Sequence, residues 1–436
     1  MLDALWNRLR SRPPAAQPPA SGARVSRTPP LPAQPARVVG LQLPASTGAR
    51  RPLVSAHGRL AGFEFRAGGA AFDRLQGPAI AACTTNLLGA MRLCAGQGLG
   101  AVAELPAGWL AAVPEAQFAQ GMHLALRADA SCQDIDATCG LVNKLRRAGV
   151  RVGWNPLATP ALPAAAGRPD FVPMPAMPGA DAQAWSAAVQ TAAARWPDMP
   201  LALLELPSVE AMEAVLVPPV AWAACSIGGC AEPARAQALP PQAQRALQLM
   251  NRLLHDEDHD AVVADIKADA ALSLRLLQYL NSAGVLPGRE LESIDQAVML
   301  VGRNALYRWV AQVLVRMSPP RPAAHALQST ALARARLFEL LARRSDTANP
   351  GGLYLLGLAT MLPMLLQCGI DDAVEAMHLP PQAAQALRRQ GGSWQCYVDL
   401  VPALEAGDLP RLDALSLPFG GQEQVLACWT EAWQPA

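Results

Sequence analysis

Residues 268–310 read ADAALSLRLLQYLNSAGVLPGRELESIDQAVMLVGRNALYRWV, and this stretch decides the fold class of the second half of the chain. In its first part, leucines recur at a spacing that places them on one helical face: Leu272, Leu276, Leu277 and Leu280. Asp269 is well placed as the N-cap of that helix, and Gly284 lies near its C-terminal end. Ser293 and Gln296 have the spacing of a capping box. The stretch therefore predicts consecutive helices that pack through an apolar face.

The 436 residues divide into three parts by pattern. Residues 1–50 are rich in Pro, Ala and Arg, residues 51–232 alternate short apolar runs with helical stretches, and residues 236–436 carry helical patterns only. The apolar runs are GRLAGFEF, GAVAEL, HLALRA, VRVGW, DFVPM, LALLEL and VAWAACS. Repeated alternation of strands and helices predicts a parallel sheet with helices outside it, open or closed into a barrel. The predicted fold is α/β followed by all-α.

The first 50 residues have no hydrophobic periodicity and are predicted to form a flexible tail. The tail has one acidic residue, Asp3. The tail and the first residue after it carry eight dispersed arginines: Arg8, Arg10, Arg12, Arg24, Arg27, Arg37, Arg50 and Arg51. A solvated linker and a segment that touches an acidic partner both remain open. The net charge of +1 gives no global reason to expect nucleic acid as a partner.

Cysteine spacing and the apolar segments indicate a cytoplasmic protein. The nine cysteines form neither a disulfide framework nor a Cys-x-x-Cys motif. The first ten residues lead into Pro and Arg instead of an apolar run, so no signal peptide is predicted. The uncharged segment 351–369 contains Pro363 and is predicted to be a buried helix instead of a membrane span.

The opening stretch resembles the core of HDOD domains, which are HD-related output domains of bacterial signalling proteins. The resemblance rests on Ala271-Leu272-Ser273, on Leu276-Leu277 with Asn281-Ser282, on Ser293-Ile294 with Gln296-Ala297, and on Leu300-Val301-Gly302. The later segments ALARARLFELLARR and GLYLLGLATMLPMLLQCGIDDAVEAMHLPPQAAQALRRQGGSW look like the continuation found where an EAL-type domain precedes an HDOD domain. In EAL domains, which are TIM-type barrels that hydrolyse cyclic di-GMP, the first strand carries Gly-x-Glu. Here GRLAGFEFR offers Gly62, Phe63, Glu64 and Arg66.

The acidic stretch HDEDHD at residues 255–260 contains two His-Asp doublets of the kind that metal-dependent HD phosphohydrolases use. By the resemblance, however, the HD position falls at Thr360 and Met361, and the partner histidine falls near Thr330. A divalent site needs several converging ligands, so HD hydrolysis is not expected. The stretch is better interpreted as a solvated turn in which Asp258 or Asp260 caps the following helix; metal affinity through His255 and His259 is the alternative.

The EAL reaction needs two metal ions held by carboxylates and an Asn, with a Lys near the attacking water. By the resemblance, each of these ligand positions can be compared with the residue that this sequence has there. Glu64 is kept, Glu104 stands at the Asn position, and Glu205 matches a late carboxylate. The third-strand Glu is missing from LALRA. At the other ligand positions stand Trp154, Asn155, Pro173, Pro175, Ala224 and Cys225. The sequence therefore predicts no phosphodiesterase activity, no catalytic residue, no bound metal and no cofactor.

We expect a non-catalytic signalling or scaffold protein that acts through protein–protein interaction, linked to cyclic di-GMP by resemblance only. The alternative is a receptor that binds cyclic di-GMP or another nucleotide without cleaving it; an altered hydrolase is a third possibility. Four candidate ligand-binding residues are Glu64, Arg66, Glu104 and Glu205. The predicted partner-binding surface of the helical domain comprises Asn281, Ser282, Arg303, Tyr307, Arg308 and Trp309.

Overall fold

The computed structural model describes residues 48–434 except for 67–76, 128, 130–131, 133, 158–165, 228–236, 256, 281–293, 346–348 and 378. The predicted tail falls on residues 1–50 and, up to residue 47, lies outside the described residues. The described strands and helices belong to one compact unit within Leu43–Ala436.

The first half of the described chain forms an eight-stranded sheet. The strands are β1 Arg50–Val54, β2 Leu60–Phe65, β3 Gly100–Pro106, β4 Met122–Arg127, β5 Arg151–Gly153, β6 Val172–Met174, β7 Leu201–Leu206 and β8 Val220–Cys225. Their order is β5-β4-β3-β2-β1-β8-β7-β6. The sheet curls into a nearly closed barrel, and in the described residues β5 and β6 are not paired with each other.

Strand β1 corrects the expectation of a wholly parallel sheet. Neighbouring strands are parallel except that β1 runs antiparallel to both β2 and β8. The sequence analysis grouped Arg50 and Arg51 with the tail, but both are buried in this strand. The Arg50 guanidinium lies over the rings of Phe63 and Phe65, 4.8 and 5.5 Å from their centroids. Burial lowers the pKa of Arg50 to about 10, so the side chain stays charged at neutral pH.

A separate cluster of inward-facing side chains fills the barrel. It comprises Leu53, Val102, Ala125, Phe171, Ala202, Leu204 and Ala224, with Trp222 packed against them. His123 makes edge-to-face contacts with Trp222 and Phe171, with ring centroids 4.5 and 6.2 Å away. Because these rings occupy the barrel interior, the barrel is a packed core instead of a pore.

Helices surround the sheet and then form the second half of the chain. Beside the sheet lie α1 Pro78–Gly96, α2 Ala107–Ala111, α3 Ile135–Arg147, α4 Ala182–Arg195 and α5 Val209–Ala214. The helical part contains α6 Pro241–Leu254, α7 His259–Ala268, α8 Ala270–Leu280, α9 Ile294–Val301, α10 Arg303–Val315, α11 Ala324–Arg344, α12 Pro350–Ala359, α13 Leu362–Leu366, α14 Ile370–Ala376, α15 Pro381–Leu387, α16 Gln395–Ala406, α17 Leu409–Ser416 and α18 Gln422–Ala432.

Short polar side chains set the start of several helices. Asp134, Asp181, Ser208, Asp269 and Asn349 each accept a hydrogen bond from the backbone N–H three residues further on. This satisfies one of the N–H groups that a helix leaves unpaired at its first turn. The predicted cap at Asp269 is confirmed, whereas Gly284 and Ser293 lie outside the described residues.

The apolar segment 351–369 forms α12 and α13, two short helices whose residues are mostly buried among other helices, as the sequence predicts. In the part of the chain that the structure describes, α1 is the one helix long and apolar enough to cross a membrane. One face of α1, including Leu87, Leu88 and Met91, is buried against the sheet.

The barrel and the helical part share one apolar core, which runs from β7 and β8 into α6 and α11. Polar contacts reinforce it. Glu213 of α5 receives two hydrogen bonds from the guanidinium of Arg321, at 2.7 and 2.8 Å, and one from the N–H of Ala323. The carbonyl of Gly58, in the turn between β1 and β2, accepts a hydrogen bond from the N–H of Ala326 at the start of α11. The two parts therefore form one continuous packing unit.

Candidate functional site

The candidate ligand-binding residues lie at one end of the barrel, which we call the mouth. Glu64 is the penultimate residue of β2, Arg66 follows that strand, and Glu104 and Glu205 lie one or two residues before the ends of β3 and β7. Arg51 reaches the same end because β1 is antiparallel and pairs Arg51 with Glu64. Chemistry in barrels of parallel strands is found at this C-terminal end, so the mouth is the place to look for a site.

The structure brings three of the four predicted residues together with Arg51 in a network of ion pairs. Arg51 Nε contacts Glu64 Oε2 at 2.5 Å, and its Nη2 lies 3.3 Å from Glu205 Oε1. Arg66 Nη1 contacts Glu64 Oε1 at 3.1 Å and Glu205 Oε1 at 2.6 Å. Burial lowers the pKa of Arg51, but the charges of Glu64 and Glu205 outweigh it, so the net direction is upward.

Glu104 belongs to the same end of the barrel but stands apart from these ion pairs. Its residue is exposed, and in the described residues it makes no salt bridge. The protein atoms packed around its carboxyl group raise the pKa of Glu104. The positive charge of Arg127 lowers this pKa, and the negative charge of Glu64 raises it further. Glu104 is thus an exposed residue at the rim, and it pairs with Ala125 of β4.

The C-terminal end of α16 covers part of the mouth. Arg66 Nε donates a hydrogen bond to the carbonyl of Ala406 at 3.2 Å. Gly407 follows with a φ of 67°, and a Cβ atom there would lie 3.1 Å from the Cβ of Arg66. Only a residue without a side chain fits this close approach in left-handed backbone without strain. A segment of the helical part therefore packs directly against the end of β2.

One residue before Ala406 on α16, Glu405 binds the residues that directly follow β8. Its Oε2 accepts hydrogen bonds from the N–H of Ile227 at 2.7 Å and from the hydroxyl of Ser226 at 3.3 Å. Arg334 of α11 lies on the other side, with Nη2 3.6 Å from Glu405 Oε1 and 2.8 Å from the carbonyl of Ile227. Both side chains are fully buried, at 1% exposure for Arg334 and 0% for Glu405.

The same arginine reaches the position where the HD resemblance places its ligands. Arg334 Nη1 donates to Thr360 Oγ1 at 3.1 Å, and both Thr360 and Thr330 are buried. Each threonine hydroxyl also donates to a backbone carbonyl of its own helix, to Gly357 and Ala326 respectively. A guanidinium group therefore lies beside the HD position, held by neutral oxygens and by one buried carboxylate.

The HDEDHD turn is not a ligand cluster in the part of it that is described, from which Asp256 is left out. Helix α6 ends at Leu254 and α7 begins at His259, so His255 and His259 do not share one helical face. Asp258 takes the N-cap position of α7, but its side chain makes no capping hydrogen bond, which corrects the prediction for that residue. Among all described residues, no group of three or more His, Cys, Asp or Glu side chains is arranged to hold a metal ion.

The predicted partner surface is revised by burial. Trp309 is 4% exposed and belongs to the helical core, and the hydroxyl of Tyr307 is buried. Arg303 donates to backbone carbonyls at the end of α6, including those of Arg252 and Leu253, so it caps that helix. Arg308 pairs with Glu339, at 2.9 and 3.0 Å. These four residues do not form one exposed face.

Asn281 and Ser282, the other two residues of that surface, lie outside the described residues. Sequence reasoning also missed Arg51, Arg334 and Glu405. For Arg51 a signal existed, because the following Pro-Leu-Val run is apolar and precedes the Gly-x-Glu strand.

Comparisons with known proteins support the helical assignment. Residues 239–378 match the family model of the HDOD domain. The uncharacterized protein YuxH of Bacillus subtilis is 28% identical over 188 residues, which are 42% of this chain and 46% of that protein. The protein named cyclic di-GMP phosphodiesterase CdgJ of Vibrio cholerae is 26% identical over 183 residues, 41% of this chain and 42% of that protein.

The chain thus spans less than half the length of either curated relative. No solved structure matches it. The HDOD match begins just before α6 and ends just after α14, and its described residues contain helices and no strand. From the predicted helices and from this match, we conclude that the chain carries an all-helical HDOD domain at residues 239–378, behind a barrel-like sheet.

Proposed function

We propose that this protein is a non-catalytic signalling protein whose barrel and HDOD domain act by binding other proteins, in association with cyclic di-GMP signalling. The association is supported by the HDOD match and by the name of the Vibrio cholerae relative. The non-catalytic character rests on the two positions at which the resemblances place metal ligands.

The observation that carries the proposal is the ion-pair network at the mouth. A two-metal phosphodiesterase needs carboxylates that are free to coordinate cations. Here Glu64 accepts from both Arg51 and Arg66, and Glu205 contacts the same two guanidinium groups. A cation entering this place would have to displace two arginines and would meet their positive charge. The network therefore satisfies the carboxylates without a metal ion.

The second position supports the same conclusion. The buried Arg334 guanidinium beside Thr360 puts a fixed positive charge where an HD enzyme holds its cation. Two unit charges at contact distance in a poorly solvated interior repel each other by several kcal/mol, and threonine hydroxyls offset little of that cost. A divalent ion is therefore not expected at this place.

An exposed apolar pair on the HDOD domain supports a binding role. Leu274 of α8 is 57% exposed and Met299 of α9 is 65% exposed, and the two helices pack against each other. Exposed large apolar side chains on adjacent elements are a common feature of protein–protein contact sites. We take this pair as the centre of the partner contact, in place of the surface that the sequence suggested.

A hydrolysis assay tests the catalytic half of the proposal. The purified chain is incubated with cyclic di-GMP and Mg²⁺ or Mn²⁺, and the mixture is analysed by chromatography for the linear product. We expect no product above that of a matched Glu64→Ala variant, because Glu64 is the carboxylate most directly placed at the mouth. Turnover by the unmodified chain that disappears in Glu64→Ala would overturn the proposal.

Calorimetric titration of the same chain with cyclic di-GMP separates a scaffold from a receptor. Heat that is lost in Arg66→Gln, without any product, would replace the scaffold by the receptor alternative. For the scaffold itself, the chain is used as bait in cells of its source. We expect Leu274→Arg with Met299→Arg to lose a partner that the unmodified chain retains. Leu417→Arg, at an apolar residue that is 72% exposed elsewhere on the chain, is the control and should retain the partner.

A further inference from the structure

A groove lies between the barrel and the helical part, at the end of the barrel opposite to the mouth. Leu60 begins β2 and Leu99 directly precedes β3, and both line the groove on the barrel side. Residues of α10, α11 and α12 line it on the other side, together with Trp433, which follows α18. Its volume is about 860 Å³, within the range of sites that enclose small molecules.

The charged groups of the groove are positive. Arg308 and Arg336 line it, and no described lining residue is acidic. Arg336 donates one hydrogen bond, to the backbone carbonyl of Gln434 at 2.7 Å, and within the described part of the chain it forms no salt bridge. Arg308 pairs with Glu339, but Glu339 also pairs with Arg343, so one carboxylate serves two guanidinium groups. The groove therefore carries an excess of positive charge that an anion would neutralise.

The rest of the lining suits a planar ring. The Arg308 guanidinium lies 5.9 Å from the centre of the Tyr354 ring, and Trp433 contributes a second aromatic side chain. The Nε1–H group of Trp433 is buried and has no hydrogen-bond partner. The indole N–H groups of Trp154, Trp185 and Trp429 are buried without a partner in the same way, so this group by itself does not indicate a ligand. Leucine and alanine side chains form the remaining walls.

We propose that this groove binds a small anionic ligand that carries a planar heterocycle, of the nucleoside phosphate class. Arg336 and Arg308 would bind the phosphate groups, since guanidinium groups match phosphate oxygens in geometry and charge. The heterocycle would lie against Tyr354, Trp433 and the apolar wall. The site is separate from the mouth and does not depend on whether the barrel is catalytic.

Calorimetry on the full chain tests this site with ATP and GTP as probes, and with adenosine and inorganic pyrophosphate as half-ligands. We expect ATP or GTP to bind at least tenfold more tightly than either half-ligand. We also expect Arg336→Gln to weaken binding at least tenfold and Trp433→Phe to weaken it severalfold. Arg147→Gln, at an exposed arginine on α3, is the charge-matched control and should leave the affinity unchanged.

Three outcomes would overturn the inference. The first is no heat with either nucleotide. The second is binding that Arg336→Gln and Trp433→Phe leave unchanged, which would place the ligand elsewhere. The third is pyrophosphate binding as tightly as the nucleotides, which would leave a simple anion site without a ring subsite. Thermal unfolding of each variant, recorded alongside, identifies any affinity loss that is caused by unfolding.

Discussion

The buried pair of Arg334 and Glu405 links α11 of the HDOD domain to α16 and to the residues that follow β8. We predict that Glu405→Gln lowers the free energy of unfolding by about 3 kcal/mol. Glutamine keeps the shape of the side chain and an oxygen that still accepts from the N–H of Ile227, so the change removes little besides the negative charge. What remains is a guanidinium group at 1% exposure without its counter-charge.

The magnitude follows from the cost of a buried, uncompensated charge. Removing one partner of a buried ion pair typically costs ~3–5 kcal/mol. The lower end applies here because Arg334 keeps two hydrogen bonds, to Thr360 Oγ1 and to the carbonyl of Ile227. A surface pair serves as the reference. Glu431→Gln removes the partner of Arg344 from a pair in which both side chains are more than one-third exposed, and it should cost no more than about 1 kcal/mol.

Urea unfolding followed by circular dichroism measures both variants against the unmodified chain. A second variant isolates the cause: Arg334→Met combined with Glu405→Gln removes both charges and should recover more than half of the loss, since buried pairs are often replaced by apolar groups at little cost. Equal losses in Glu405→Gln and Glu431→Gln would refute the reasoning. A double variant that is destabilised as much as Glu405→Gln alone, or more, would refute it as well.

Three further predictions concern the barrel and its contacts. Burial lowers the pKa of His123 to about 4, whereas in the unfolded chain it is ~6.5. As the pH falls, the unfolded chain therefore binds a proton at this histidine before the folded chain does. The free energy of unfolding should be at its full value above pH ~6.5 and should fall by at most about 3 kcal/mol as the pH drops to 4. In thermal melts recorded between pH 7 and pH 4, the melting temperature of His123→Phe should fall less steeply with pH than that of the unmodified chain. An equally steep fall would contradict the assignment of this acid sensitivity to His123. Gly58→Ala would place a Cβ atom 1.6 Å from the carbonyl oxygen of Pro322 and should cost several kcal/mol in urea unfolding. Gly98 has a similar left-handed backbone, but no atom lies within 4 Å of the position of an added Cβ. Gly98→Ala should therefore lower the free energy of unfolding by only ~1 kcal/mol. Equal losses of stability in the two variants would argue against the clash at Gly58. Burial raises the pKa of Cys225 to about 12, so mass spectrometry should find it unmodified by iodoacetamide at pH 8 until the chain unfolds; rapid labelling in the folded chain would exclude the buried position.

Much of the fold was predictable because it depends on local periodicity. The seven apolar runs correspond to β2–β8, and the leucine face of residues 272–280 forms α8. Strand β1 was not predictable in the same way. Its sequence, RRPLV, begins with two arginines, which are rarely buried unless paired. Their partners are Glu64 and the rings of Phe63 and Phe65, which come from β2. A prediction from the local sequence pattern of β1 alone cannot identify these partners.

The candidate site was predictable only in part, for the same reason. The resemblance placed Glu64, Arg66 and Glu205 at strand ends, and their meeting at the mouth follows from barrel geometry. Within the predicted partner surface, the burial of Trp309 was not predictable, because this residue belongs to a core that forms only when several helices pack. An aromatic residue next to arginines is found both at protein–protein interfaces and in partly buried helices, so the sequence pattern does not distinguish the two.

The limits of the HDOD match indicate how the domains depend on each other. The match ends at residue 378, yet α16, which contacts β1, and α18 with the following Trp433 lie beyond it. Glu405 of α16 holds the residues after β8, and Trp433 packs edge-to-face on Phe63 of β2 at 4.8 Å. These helices complete the barrel's surface with side chains that the HDOD core does not supply. Arg334 of α11 and Glu405 of α16 therefore connect the HDOD core to the residues after β8, at the same end of the barrel as the mouth.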